Sequence, residues 1–140
     1  MKFLKQTQFF KNNFHAILGI IASTLIVIGL QWDISWHKSI GRDTFLTPPH
    51  IVIYLGGIIA GVISGVIVLR TTFGFDNNSQ KVSVKFWGFK GPLGGWVCIW
   101  GAIAMLTSAP FDDWWHNTYS LDVQIISPPH TVLAMGFFSY

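Results

Sequence analysis

The sequence predicts an all-α, multi-pass transmembrane protein that forms a single domain over residues 1–140. The first reason is composition. The chain has 140 residues, of which 51% are hydrophobic and 11% charged, whereas soluble domains carry about 25% charged residues. The second reason is the presence of long apolar runs, and the mean hydropathy is +0.48. The third is a polar motif that occurs twice between those runs, which predicts a tandem repeat of two helices and a connection.

Three complete apolar runs and the start of a fourth predict four spans, the last one truncated. The complete runs are Phe14–Leu30, His50–Leu69 and Leu93–Ala109. Each is close to the roughly 17–25 residues that a helix needs to cross the hydrocarbon core. The fourth run begins at His130 and stops at Tyr140. Such a short helix reaches only about half-way across a bilayer, because each helical residue rises about 1.5 Å.

The basic residues predict the orientation of the spans. Cytoplasmic segments carry an excess of Lys and Arg. The tail before the first run and the connection between the second and third runs hold seven of the nine: Lys2, Lys5, Lys11, Arg70, Lys81, Lys85 and Lys90. The other two are Lys38 and Arg42. We therefore expect an inner-membrane protein with a cytoplasmic N-terminus, and we expect the two polar motifs to lie together on the outer face.

The two polar motifs have the same residue types at nearly the same spacing. In each, an Asp precedes a Trp-His pair by three residues, and a hydroxyl residue followed by Pro-Pro-His comes later. The second motif has one extra residue before its Pro-Pro pair. Repeat one covers about residues 14–70, and repeat two, incomplete, about residues 91–140.

This spacing is typical of a metal site. An Asp and a His four residues apart lie on one helix face. Thr47 or Ser127 suits a helix N-cap, with Pro in the first turn, so the next His starts the second helix. The candidate ligands are Asp33, His37, His50, Asp112, His116 and His130. Neutral imidazoles without thiolates favour copper, with zinc or iron as alternatives; the single Cys98 excludes a Cys-based cluster.

The segment Asp33–His50 resembles the C subunit of the copper membrane monooxygenases, the particulate methane and ammonia oxidisers. The likeness rests on an Asp, three residues, His, twelve residues, His arrangement, with Arg42-Asp43-Thr44 and Thr47-Pro48 in register. It implies that Asp33, His37 and His50 bind copper in the membrane domain near the outer face. The rest of the chain is not matched, and the second motif is predicted only from its likeness to the first.

Three functions remain open on the sequence. The favoured one is a membrane protein that holds one or two transition-metal ions, either in a shared binuclear site or in two separate sites, with oxidative chemistry at an open coordination position. The others are a transporter and a non-catalytic structural subunit that binds a partner. The expected partners are the lipid bilayer and either other membrane proteins or a second copy of the chain. A base-reading basic patch is absent from the sequence, which excludes nucleic acid.

Overall fold

The computed structural model describes residues 2–40, 44–75, 83–119 and 127–139, with the backbone alone over residues 2–12. In chain order, the elements are α1 (Lys2–Ser39), α2 (Pro48–Thr72), β1 (Ser83–Phe86), β2 (Phe89–Pro92), α3 (Leu93–Tyr119) and α4 (Pro128–Phe137). Arg42, Asp43 and Lys81 lie outside the described residues.

Three helices are long and apolar enough to cross a membrane, which confirms the three complete runs. They are Asn13–Ser39 within α1, Pro48–Thr72 and Leu93–Tyr119. Large apolar side chains on them point outward, for example Ile20, which is 68% exposed, and Val62, which is 60% exposed. Outward apolar surface of this kind suits contact with lipid. The ten residues of α4 begin two residues before the predicted start of the fourth run.

Consecutive helices pack against one another, α1 on α2, α2 on α3 and α3 on α4. Two glycines permit the close approaches. A Cβ atom on Gly56 of α2 would lie 2.8 Å from the Ala22 carbonyl oxygen of α1, and a Cβ on Gly136 of α4 would lie 2.9 Å from the Gly101 carbonyl oxygen of α3. Without a hydrophobic driving force in lipid, small residues of this kind let helix backbones associate. Each glycine follows the Pro-Pro-His histidine of its motif by six residues.

The first and third helices continue beyond their apolar runs. α1 extends to Ser39, and α3 extends to Tyr119 with Pro110 inside the helix. Proline normally ends or kinks a helix because it removes one backbone hydrogen bond. Even so, α3 continues ten residues beyond Ala109, where the third apolar run ends. These extensions place the Asp and His of each motif on helical backbone.

The connection between α2 and α3 contains an element that the sequence analysis did not predict. Strands β1 and β2 form an antiparallel hairpin in which Phe86 pairs with Phe89 and Lys85 with Lys90. The chain is therefore predominantly helical, as predicted, with one small hairpin where two candidate spans are joined.

Candidate metal centre

The first motif folds into a compact group of three donors. Asp33 and His37 lie one turn apart on α1, and His50 lies in the first turn of α2. The Asp33 Oδ2 atom is 3.7 Å from His37 Nε2, and the Asp33 Oδ1 atom is 3.2 Å from His50 Nε2. Two ligands that each sit about 2.1 Å from a tetrahedral ion are about 3.4 Å apart. The two distances, one from each carboxylate oxygen, are close to this separation.

This group is also buried. Asp33 is 4% exposed, and the His37 and His50 side chains are 12% and 13% exposed. Among the described residues, Asp33, His37 and His50 are the one group of three or more such donors whose ligand atoms all lie within 4.8 Å of one another. The group could hold a metal ion, because a buried carboxylate is stable only when a cation or hydrogen bonds compensate its charge.

The orientation of the His50 ring is fixed by the backbone before α2. Its Nδ1 atom is 3.2 Å from the Thr44 carbonyl oxygen, and since a carbonyl only accepts, Nδ1–H is the donor. In the neutral ring, Nε2 then directs a lone pair toward the Asp33 carboxylate. Within the described residues, the Asp33 Oδ1 atom accepts no hydrogen bond. A proton on Nε2 or a metal ion between the two atoms would join them, and a metal ligand set provides the second arrangement.

Helices α2 and α4 begin at the Pro-Pro pairs, as predicted, but their N-cap side chains do not form the expected capping hydrogen bonds. Thr47 and Ser127 are the N-cap residues, each followed by Pro, and neither side chain makes a capping hydrogen bond. The Thr47 hydroxyl donates instead to the Thr44 carbonyl oxygen at 3.1 Å. The Ser127 hydroxyl lies 2.5 Å from His130 Nδ1. The two hydroxyl groups therefore contact the residues around the histidines, and the helices begin at proline without a side-chain cap.

The second motif forms a looser version of the same arrangement. The Asp112 Oδ1 atom is 3.4 Å from His116 Nε2 and 3.8 Å from His130 Nδ1. Asp112 is 9% exposed, so it is buried like Asp33. The carboxylate again lies between a histidine of its own helix and a histidine of the next one. The connection that precedes Ser127 lies outside the described residues.

The two motifs adjoin each other. The rings of His37 and His130 are 6.2 Å apart between centroids, at an interplanar angle of 70°. A cavity of about 20 Å³ is lined by residues of both motifs, Asp33, His50, Asp112 and His130. A cavity of about 10 Å³ is lined by His50, Asp112 and His116. The structure thus brings all six predicted residues into one cluster.

Other residues of this cluster were missed by the sequence analysis. Tyr54 lies one turn after His50 on α2, with its ring 6.0 Å from the His50 ring. Its hydroxyl donates to the Phe45 carbonyl oxygen at 2.9 Å, so it fastens the segment that orients His50. Its four-residue spacing from His50 places it on the same helix face, and this spacing could have identified it. Ser108, which lines the shared cavity, donates to the Met105 carbonyl oxygen and had no signal.

A larger apolar pocket opens beside the cluster, between α1 and α4. Its volume is about 420 Å³. Its lining combines four polar side chains with apolar ones such as Ile34 and Phe137; the polar ones are Asp33, His37, Lys38 and His130. The predicted ligands therefore border a space that is large enough for a small apolar molecule.

Comparisons with known proteins leave the chain without an assigned family. No family model, no curated protein and no solved structure matches it.

Proposed function

We propose that this protein is a multi-pass inner-membrane protein that binds two transition-metal ions in adjacent sites, one for each motif. Asp33, His37 and His50 hold the first ion, and Asp112, His116 and His130 hold the second. The observation that carries the proposal is the buried Asp33 carboxylate between two imidazoles, at ligand-to-ligand distances of 3.2 and 3.7 Å. A structural subunit whose polar residues merely face water or headgroups would leave Asp33 exposed.

Equivalent contacts support a tandem two-helix repeat. A Cβ on Gly56 would lie 3.1 Å from the Ile26 nitrogen, and one on Gly136 would lie 3.0 Å from the Met105 nitrogen. Ile26 precedes Asp33 by seven residues, as Met105 precedes Asp112. The two helix pairs therefore meet at corresponding positions, and the same contact aligns each Asp with the histidine of the next helix.

Copper is the proposed metal. Histidine-rich sites without thiolates suit Cu(II), and the resemblance of Asp33–His50 to the copper membrane monooxygenases agrees. The placement of Lys and Arg puts the N-terminus in the cytoplasm and the cluster on the outer side of the membrane.

Metal analysis of the purified full-length protein tests the proposal. We expect two copper equivalents in the wild type and one in each of the variants His37→Ala and His116→Ala. His15→Ala is the matched control because His15 is exposed on the same helix as His37, and it should retain two equivalents. A wild type that binds no stoichiometric metal would overturn the proposal, and loss of both ions in each single variant would show one shared site.

The apolar pocket favours a second candidate function, oxidative chemistry on a small apolar molecule. Asp33, His37 and His130 line the pocket, so a molecule in the pocket would lie close to the proposed ligand set. Addition of a small apolar alcohol to the copper-loaded protein should then change the Cu(II) electron paramagnetic resonance spectrum. An unchanged spectrum at saturating alcohol would remove this candidate without affecting the metal proposal.

A further inference from the structure

The hairpin between α2 and α3 has a tip that the fold itself does not bury. Trp87 and Gly88 form its two-residue turn, with φ angles of 47° and 86°. Turns with positive φ at both central residues are normally built from Asn, Asp or Gly, and a bulky residue there is an outlier. Trp87 is nevertheless 85% exposed. The turn thus combines an unfavourable backbone conformation with an indole ring that is exposed on the surface.

The hairpin is fastened to the helices, so this tip is held at a defined place. The Thr72 hydroxyl at the end of α2 accepts from the Lys90 amide at 2.8 Å, and its one hydrogen is shared between the Lys90 carbonyl oxygen at 2.9 Å and the Val68 carbonyl oxygen at 2.8 Å. The Phe86 ring packs on the Trp87 ring at 5.4 Å and on Trp96 of α3 at 5.3 Å. Because α2 and α3 are candidate spans, the hairpin lies where the chain leaves and re-enters the membrane.

One face of the hairpin carries two cations side by side. Lys85 and Lys90 are direct cross-strand partners, and both are exposed. Like charges directly opposite each other destabilise a strand pair. An anion bound between the two lysines would relieve this electrostatic repulsion. Over the described residues, neither lysine forms an ion pair with a carboxylate. Asp76 of the same connection lies outside those residues.

We propose that the hairpin Ser83–Pro92 binds the membrane surface, with Trp87 at headgroup level and an anionic phospholipid phosphate held by Lys85 and Lys90. Tryptophan prefers the membrane interface because its ring is apolar and its N–H is polar. Lysines near that surface attract anionic headgroups. The hairpin carries both an exposed tryptophan and a pair of lysines. Because it joins two candidate spans, lipid headgroups are the nearest anionic partner for it. The proposal does not depend on metal binding.

The depth of Trp87 is the first test. The full-length protein is reconstituted in vesicles, and the emission of Trp87 is taken as the difference between wild type and Trp87→Phe. We expect quenching of this difference by phosphatidylcholine brominated near the headgroup and protection from aqueous iodide. Emission that iodide quenches as strongly as free tryptophan would place the ring in water and overturn the proposal.

The lipid preference is the second test. Native mass spectrometry of the protein, equilibrated with equal amounts of phosphatidylglycerol and phosphatidylcholine, gives the ratio of the two lipids retained. We expect Lys85→Gln with Lys90→Gln to lower that ratio by about fivefold per lysine, which corresponds to about 1 kcal/mol per cation near the surface. Replacement of both by Arg should preserve it.

The matched control removes two charges elsewhere on the same predicted side, with Lys2→Gln and Lys5→Gln. If the hairpin is the lipid site, this control keeps the wild-type ratio to within about twofold. An equal loss in the control, or no loss in the hairpin variant, would show that net charge or other residues select the lipid, and the proposal would be wrong.

Discussion

Substitution of Gly56 by Ala should weaken the first metal site from a distance. The added Cβ would lie 2.8 Å from the Ala22 carbonyl oxygen. To restore an ordinary contact of about 3.4 Å, α1 and α2 must separate by about 0.6 Å at this point. Overpacking of this kind costs about 1–3 kcal/mol. His50 lies six residues earlier on α2, about 9 Å along the helix axis, so part of the displacement reaches the pair of His50 and Asp33.

The expected result is a tenfold to hundredfold loss of copper affinity at the first site, the range typical of disturbed support around metal ligands. Functional constellations tolerate only about 0.5 Å of misplacement. The assay is competition between the full-length protein and a copper chelator of known affinity, together with the thermal midpoint of the metal-free protein.

Gly65→Ala is the matched control on the same helix. A Cβ at Gly65 meets no atom within 4 Å, and Ala is a better helix former than Gly by about 1 kcal/mol. Gly65→Ala should therefore leave copper affinity unchanged and raise the thermal midpoint slightly. Wild-type affinity and stability in Gly56→Ala, or an equal loss in Gly65→Ala, would refute the idea that close approach of α1 and α2 sets the ligand geometry.

Two smaller predictions concern the hydrogen bonds that support the site and the hairpin. Tyr54→Phe removes the hydrogen bond to the Phe45 carbonyl oxygen, which is worth about 1 kcal/mol. This variant should lower copper affinity by up to about tenfold in the chelator assay. An unchanged affinity would show that Tyr54 does not orient His50. Thr72→Val removes both bonds to Lys90 and should raise the hydrogen-exchange rate of the hairpin amides, whereas Thr24→Val, whose hydroxyl bonds only within α1, should leave those rates unchanged.

The sequence could predict the helices and the placement of each Asp–His pair because both follow from spacing along a single element. An Asp and a His four residues apart must share a helix face, and Pro-Pro after Thr47 must begin a helix rather than continue one. The proximity of Asp33 to His50 also follows, since a short connection holds two consecutive helices together. The 3.2 Å distance confirms that step.

The contact between the motifs could not be predicted from spacing. The approach of His37 to His130 depends on how α1 and α4 are arranged around α2 and α3, which no local pattern specifies. The hairpin was missed for another reason. Its turn is Trp87-Gly88 instead of the usual Asn-Gly, and its strands are only four residues long. The continuation of α3 through Pro110 goes against the preference of proline for a helix end, but it agrees with the four-residue spacing of Asp112 and His116, which predicts helix there.

Metal binding should also contribute to the association of the helices, which gives a final prediction. Each candidate site draws ligands from two helices, as with Asp33 on α1 and His50 on α2. In lipid, helix association lacks the hydrophobic driving force available in water, so metal–ligand bonds that joined two helices would be a substantial part of the attraction. A ligand that binds only the native state stabilises it by about 2.7 kcal/mol at a concentration one hundred times its Kd.

Copper should therefore raise the thermal midpoint of the reconstituted protein as its concentration rises above the Kd. Because imidazole must be neutral to bind, lowering the pH should abolish the increase. His50→Ala removes the α2 ligand of the first site, so its midpoint should rise less with copper than that of the wild type. If His50→Ala and the wild type gain equally, the metal does not join α1 to α2, and the ligands of the first ion must come from a single helix or from other residues.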